Sequence, residues 1–475
     1  MNVQKILGYA LGPMGSAVLG LILLPAISWY FPAEDIGRIA LLQTLASLAI
    51  LIFGLGLDQA YIREYCNIDN KSALLKTLAF PPLLFMIAVS IMLMLWDISW
   101  LSEMIFSIQD KTLGFLFLLF LVTTLLTRFL ALILRMKEQA LAFSLSQLTP
   151  KLLILLFTLT YIAFNIQADT TSLIFFYTFS QVLTVLVLLF QTKNDLASAL
   201  HAKWSPTLYR IGIRYGLPLV FGNLAYWGLT SIDRFILQKT VGLAQLGIYS
   251  MAISFGAIAL IFQSVFSTIW APMVFKWVKE NKNLQKINDI AHLITVLVCA
   301  AICIIGIMSP LISLMLPEEY ATVQFILLST IMLPVFYTLT EVSGIGLNII
   351  KKTWLITLVH ILCLLINLCL LYYLVPKLGA KGAAMANAVS FWLFFMVKTE
   401  LSSYLWQPLQ RNKIYLTMGF LLMLCLSYTF YGTKDNYPFF VLAWLCLFII
   451  TIWTHKALLK IHLKQLINWI YSRAA

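Results

Sequence analysis

RIGIRYGLPLVFGNLAYWGLTSIDRFILQKTVGLAQLGIYS, residues 210–250, decides how this chain is read. The stretch opens basic at Arg210 and Arg214 and runs apolar from Tyr215 to Thr230. It closes on Asp233-Arg234 and restarts at Gly247-Ile-Tyr-Ser. Asn223 and Ser231 are the only other strongly polar residues between Arg214 and Asp233. As a helix, residues 209–237 are long enough to cross a bilayer, which takes about 20 residues. A long apolar stretch bounded by charges marks a membrane-spanning helix.

The rest of the chain has the same character. Of its 475 residues, 61% are hydrophobic and 11% charged, with a mean hydropathy of +0.92. A soluble domain carries about 25% charged residues. That excludes a soluble enzyme and implies an all-α, polytopic membrane protein. Apolar run lengths and turn punctuation mark about fourteen spans. Among them are 37–62, 73–96, 172–192, 209–237, 244–270, 286–315 and 322–350. The first apolar run continues to Phe31 without a clear cleavage site, so it reads as a span rather than a signal peptide. The spans group into an N-terminal six-helix lobe (1–192), a cytoplasmic linker (193–208), a C-terminal six-helix lobe (209–405), and two extra helices with a basic tail (406–475). The end of the tail, from Leu459, reads as an amphipathic helix on the membrane surface. The seven Cys lie mostly in apolar runs without metal-ligand spacing, so packing is their expected role. His292 and His360 fall in separate spans without ligand spacing. No metal and no cofactor are expected.

The net charge of +13 is read by position. With the N-terminus inside, the cytoplasmic turns collect Arg63, Lys71 and Lys76, then Arg135 and Lys137, Lys193 and Lys203, and the run Lys276, Lys279, Lys282 and Lys286. Lys351, Lys352, Arg411, Lys413, Lys456, Lys460 and Lys464 follow on the same side. The opposite turns hold Glu34, Asp35, Asp97, Glu103, Asp110, Asp169, Glu318 and Glu319, with only scattered cations such as Arg38. This asymmetry obeys the positive-inside rule with both termini cytoplasmic. It accounts for most of the basic excess without any nucleic acid.

A weak repeat links the halves. Tyr9-Ala-Leu-Gly-Pro13 matches Tyr215-Gly-Leu-Pro218, and Ile36-Gly37 matches Leu246-Gly247. Six spans separate the copies, so both have one orientation, as parallel repeats about an axis along the membrane normal do.

The pattern Gly216-Leu-Pro-Leu219, Asp233-Arg234, then Gly247-Ile-Tyr-Ser250 resembles bacterial polysaccharide-unit (O-antigen, Wzx-type) flippases of the MATE-like exporter superfamily. Three further segments carry the resemblance: Leu23–Tyr65, with Gly37 and Gly54-Leu-Gly-Leu-Asp58; Leu316–Pro334; and Val375–Ser390, with Gly379 and Gly382. Together they touch both halves. Lys377 and Lys381 depart from the pattern, placing two cations in an outside turn. The resemblance implies two six-helix lobes around a cavity and transport by alternating access. It implies, as substrate, an oligosaccharide on a polyprenyl pyrophosphate, carried from the inner to the outer leaflet of the bacterial cytoplasmic membrane. It also implies the proton as coupling ion, membrane lipid as surroundings, and a polysaccharide polymerase and a chain-length regulator as partners.

Charges at membrane depth are the candidate site. A charge at the centre of a spanning helix costs about 2.5–3.5 kcal/mol, so each implies water or a partner. Arg128 lies eight residues before Met136 and Lys151 eight after Phe143, both roughly 12 Å in. On consecutive helices, the two sit at one depth and are read as an anion site. The bland alternative has Lys151 snorkelling and Arg128 bonding carbonyls near Pro150. Arg214, at i+4 from Arg210, is either a substrate contact or an interfacial anchor. Lys398 is expected to pair locally with Glu400 or to snorkel. Asp58 and Arg63, near one end of the second span, and Asp233 and Arg234, near one end of the seventh, read as structural or gating residues. Glu341 is the deepest acid, roughly 15 Å in. Low dielectric favours the neutral form of a carboxylic acid, which is what a proton-coupled carrier uses. The alternative is a neutral acid bonded to a neighbouring helix.

Two rival functions stay open. One is a multidrug or small-molecule exporter of the same superfamily, whose drug and sodium sites would favour buried carboxylates. The other is a membrane polysaccharide polymerase or glycosyltransferase, which needs loops outside the membrane. Here the longest outside turn, 97–112, holds no convincing acid pair.

Overall fold

The structure, a computed structural model, describes residues 3–167, 169–280 and 285–456, apart from the side chains of residues 3–10, 13, 24 and 258. Lys282, Lys460, Lys464 and the amphipathic tail expected from Leu459 lie outside the described residues. All regular structure among the described residues is helical. Among the described residues twelve helices are long and apolar enough to cross a membrane, and the chain is a polytopic membrane protein.

The chain divides into two compact units at Ser250/Met251. The first holds α1 (Val3–Ser28), α2 (Ala33–Phe53), α3 (Leu57–Glu64), α4 (Lys71–Phe106), α5 (Lys111–Met136), α6 (Ala140–Ala163), α7 (Thr170–His201), α8 (Pro206–Val241) and the opening of α9 (Leu243–Phe255). Short polar side chains start α4, α5, α7 and α8 by bonding free N–H groups of the first turn. Asn70 accepts from Ala73, Asp110 from Thr112 and Leu113, Asp169 from Ser172, and Ser205 from Leu208 ahead of Pro206.

α8 carries the stretch read first. Its 36 residues are long enough to span, but it is not among the twelve apolar helices. Pro218, Asn223 and the Tyr and Trp residues dilute its hydropathy. It packs along α2, α3 and α4. Backbones come very close at two points. Gly56 in the α2–α3 turn (φ 67°) meets Gly216 of α8, and a Cβ on Gly56 would overlap the Gly216 carbonyl. Gly37 of α2 meets the first turn of α9, where a Cβ on Gly247 would overlap the Ala33 carbonyl. The two repeat glycines thus face one another.

Several boundaries differ from the sequence expectation. The span 37–62 is broken: α2 stops at Phe53, Leu55 and Gly56 take positive φ, and α3 starts afresh at Leu57. α7 runs on through the stretch read as linker as far as His201. Its last turn is held by Lys76, which donates to the Leu200 and Ala202 carbonyls at 2.8 and 2.9 Å. A cation at those unpaired carbonyls is favourable. The outside turn 97–112 is mostly helix. α4 kinks at Asp97, whose carboxylate caps Ser99 and Trp100, and continues to Phe106. Arg38 is buried rather than a loop cation, donating to the Phe106 carbonyl at 2.9 Å and to Asp35 at 2.5 Å. It ties the start of α2 to the end of α4.

The second unit holds the rest of α9, α10 (Ala257–Lys279), α11 (Gln285–Met308), α12 (Pro310–Met315), α13 (Val323–Ser343), α14 (Gly346–Ile349), α15 (Thr353–Leu378), α16 (Ala380–Leu405), α17 (Asn412–Tyr431) and α18 (Tyr437–Thr454). Three expected spans are divided here. The run 244–270 breaks at Gly256, 286–315 at Ser309-Pro310, and 322–350 at Gly344. α13 is the centre of the unit, with 83% of its apolar window buried, and packs on α10, α11, α16 and α17.

Lipid offers no hydrophobic drive between helices, so association relies on close packing and on bonds worth about 0.6 kcal/mol each. Both are present. In the first unit Gly12 and Gly15 bring α1 against Ser144 and Leu148 of α6. In the second, Asn367 of α15 donates to Asn387 and Ser390 of α16 at 2.8 and 3.0 Å. Ser329 and Thr429 join α13 to α17 at 2.6 Å.

Candidate functional site

Three membrane-depth cations, Arg128, Lys151 and Lys398, meet partners on other helices. In the first unit the α2–α3 break delivers Asp58 to the first turn of α3, where a negative side chain is favourable. Arg128 of α5 meets it there. Its Nε and Nη2 both donate to Asp58 Oδ2, at 3.1 and 2.7 Å. Gln59 donates to the same oxygen at 2.9 Å. The Arg128 side chain is 39% exposed and that of Asp58 12%. Arg128 is therefore a paired cation with one side open.

Lys151 of α6 turns to α1 and donates to the Ser16 carbonyl at 2.7 Å. Gly20, one turn on, leaves room for its ammonium: a Cβ there would lie 3.3 Å from Nζ. Arg128 thus meets an acid on α3, and Lys151 a carbonyl on α1. Arg63 stacks its guanidinium 4.3 Å from the centroid of the Tyr215 ring of α8, a contact worth about 0.5–1 kcal/mol at an exposed site. Arg214 is exposed and makes no ion pair among the described residues. Asp233 is buried and accepts from Tyr249 of α9. Arg234 bonds the Thr230 carbonyl of its own helix at 3.2 Å.

In the second unit Glu341 lies in the last turn of α13. Its carboxylate is 3.9 Å from Lys398 Nζ of α16, with side chains 17% and 4% exposed. The break at Gly344 makes this possible. A Cβ there would come within 2.9 Å of Lys398 Cγ, so the glycine leaves a slot for the lysine stem. Phe394 and Tyr337 lie 5.5 and 6.0 Å from the ammonium. Trp270 of α10 donates to the Glu341 carbonyl at 3.0 Å. α16 is fixed to the break by Thr399 with Ser343 at 2.5 Å and by Ser402, which accepts from Gly346 N at 3.1 Å.

Lys398 does not pair with Glu400. That acid faces Arg411, at 2.8 Å, and Tyr415, at 2.9 Å. Residues two apart on a helix point in different directions, so Lys398 and Glu400 serve different neighbours. Sequence reasoning also missed Tyr215 and Tyr249, aromatic partners set by how helices are rotated. Among the described residues no three His, Cys, Asp or Glu gather to hold a metal.

The sequence profile of the polysaccharide biosynthesis protein family matches residues 3–278, more than half of the chain. The chain belongs to this family. A family relative is the "Putative O-antigen transporter" of Shigella flexneri, 26% identical over 220 residues, which are 44% of this chain and 51% of that protein. The chain thus matches about half the length of that relative. The fold is similar to lipid II flippase MurJ in an inward closed conformation, with a TM-score of 0.67 at 16% identity over 95% of this chain and 99% of that one. It is also similar to a multidrug resistance MATE family transporter of the MOP superfamily in its inward-facing conformation, with a TM-score of 0.55 at 16% identity over 82% and 95%. At such identities the likeness shows the fold alone.

Proposed function

We propose that the chain is a flippase for a polyprenyl-pyrophosphate-linked oligosaccharide, an O-antigen or similar surface unit. The observation that carries this is Arg128: a half-open cation at membrane depth in a polysaccharide biosynthesis protein. The name of the Shigella flexneri relative supports the same substrate class. In this reading the protein lies in the bacterial inner membrane with both termini in the cytoplasm. Its lobes, 1–192 and 209–405, alternate access. Arg128, Lys151 and Arg214 attract the pyrophosphate from the inner leaflet while the polyprenyl chain stays in lipid. Asp58, Arg63, Asp233 and Arg234 hold or gate the helices, and Glu341 exchanges a proton. A polysaccharide polymerase and a chain-length regulator act on the delivered unit. The protein itself makes no bond.

Purified protein in liposomes tests this. It is expected to move a lipid-linked sugar across the bilayer with its glycosidic bonds unchanged. A new glycosidic linkage made by the protein alone would decide for an enzyme. Movement of cationic drugs without lipid-linked sugar would decide for a multidrug exporter.

A further inference from the structure

We propose that Asp58 is an internal anion that occupies Arg128 while the substrate site is empty and yields to the substrate's pyrophosphate. This rests on the flippase reading and goes further, because it assigns the control of headgroup affinity to an acidic residue.

A guanidinium carries five N–H donors in a planar fork. Asp58 uses two of them, Nε and Nη2, on one oxygen. Arg128 has no other hydrogen-bond partner among the described residues, and its side chain is 39% exposed. The cation is therefore neutralised but not enclosed. A pyrophosphate brings more charge and more acceptor oxygens than a carboxylate, and arginine binds phosphate through parallel bonds.

Asp58 is equipped to let go. Its Oδ2 also accepts from Gln59 at 2.9 Å, and it stands in the first turn of α3. Both stabilise a carboxylate that has lost its arginine. Two consequences follow for a carrier. Competition lowers the apparent affinity by the fraction of time Arg128 is free. The same competition speeds release, because the returning carboxylate takes the cation back. Without Asp58 the pyrophosphate would hold the open cation and stay.

The test is binding of polyprenyl pyrophosphate to the full chain in nanodiscs, with flux in liposomes beside it. Asp58→Asn keeps the shape and one acceptor oxygen but not the charge. It is expected to bind about fivefold tighter or more, the lower end of ordinary coupling between sites, and to turn over more slowly. Gln59→Leu keeps both charges and removes the second donor on Asp58. It is expected to bind more weakly, and it serves if Asp58→Asn fails to fold. A pair that is only structural predicts lower melting temperatures and unchanged affinity in both variants, which overturns the proposal. If the wild type binds and Arg128→Gln weakens that binding, but neither Asp58 nor Gln59 shifts it as stated, this inference alone fails. If the wild type does not bind, or Arg128→Gln binds equally, the assignment of Arg128 to the headgroup fails and this inference with it.

Discussion

Lys398 Nζ lies 3.9 Å from Glu341 Oε1, and the two side chains are the only membrane-depth ion pair of the second unit among the described residues. Around the lysine lie the rings of Phe394 and Tyr337, with His360 stacked on Phe394. Glu341 is thus more than a lone buried acid: it neutralises a buried cation on α16. Any change in its charge is felt by Lys398.

That relationship sharpens the test of proton coupling. Glu341→Gln removes the charge and leaves Lys398 buried without a counter-ion, a loss of about 3 kcal/mol. The melting temperature in detergent is expected to fall. Adding Lys398→Met removes the stranded cation and is expected to restore it. Flux into liposomes with and without an imposed pH gradient separates stability from coupling. Both variants are expected to bind lipid-linked sugar and to lose the response to the gradient. If the double variant responds as the wild type does, the pair is structural and coupling lies elsewhere.

Arg128→Ala and Lys151→Ala are each expected to lower flux at normal membrane insertion. Arg128→Ala strands Asp58 as well as removing the cation, so its loss is expected to be the larger, about tenfold or more, which is about 1.4 kcal/mol. Arg128→Lys is expected to keep part of the flux, since an ammonium supplies the charge but not the planar fork. Full flux in both alanine variants at native expression would remove both residues from the substrate path.

The spans were legible because length and apolarity are properties of one segment. The capped starts near Leu74, Leu113, Leu173 and Tyr209 follow from Asn70, Asp110, Asp169 and Ser205. The breaks at Gly54–Gly56, Ser309-Pro310 and Gly344 were marked by glycine and proline, yet a window of hydropathy runs straight across them. Partners were not legible. Asp58 and Arg128 are 70 residues apart, and their meeting depends on how α3 and α5 are rotated. Equal depth, which made Arg128 and Lys151 look like neighbours, says nothing about rotation.

Tyr249→Phe tests whether Asp233 is a fastener. The carboxylate is buried and accepts the Tyr249 hydroxyl across the α8–α9 turn. A hydrogen bond to a charged group contributes about 1.5–3 kcal/mol. The variant is expected to lose about that much stability, read as a lower melting temperature, while its affinity for lipid-linked sugar stays the same. A changed affinity with an unchanged melting temperature would move Asp233 from the framework to the substrate.

The last prediction concerns Gly37 and Gly247. Each meets backbone of the other's helix, and backbone cannot swing aside as a side chain can. Gly37→Ala or Gly247→Ala therefore has to push α2 and α9 apart. Overpacking of this kind costs about 1–3 kcal/mol, and the rigid neighbours put both variants at the upper end. Gly419→Ala is the control, because nothing lies within 4 Å of its added Cβ and it stands inside α17. It is expected to be neutral or to stabilise by up to about 1 kcal/mol, as alanine does in a helix. The two crossing glycines share one contact, so their effects are not independent. Once α2 and α9 have separated to admit one methyl, the second enters space already opened. The Gly37→Ala/Gly247→Ala double variant is therefore expected to cost less than the sum of the singles, read from melting in detergent. Strict additivity would mean that the two glycines relax separately and that the close crossing of α2 and α9 is not shared between them.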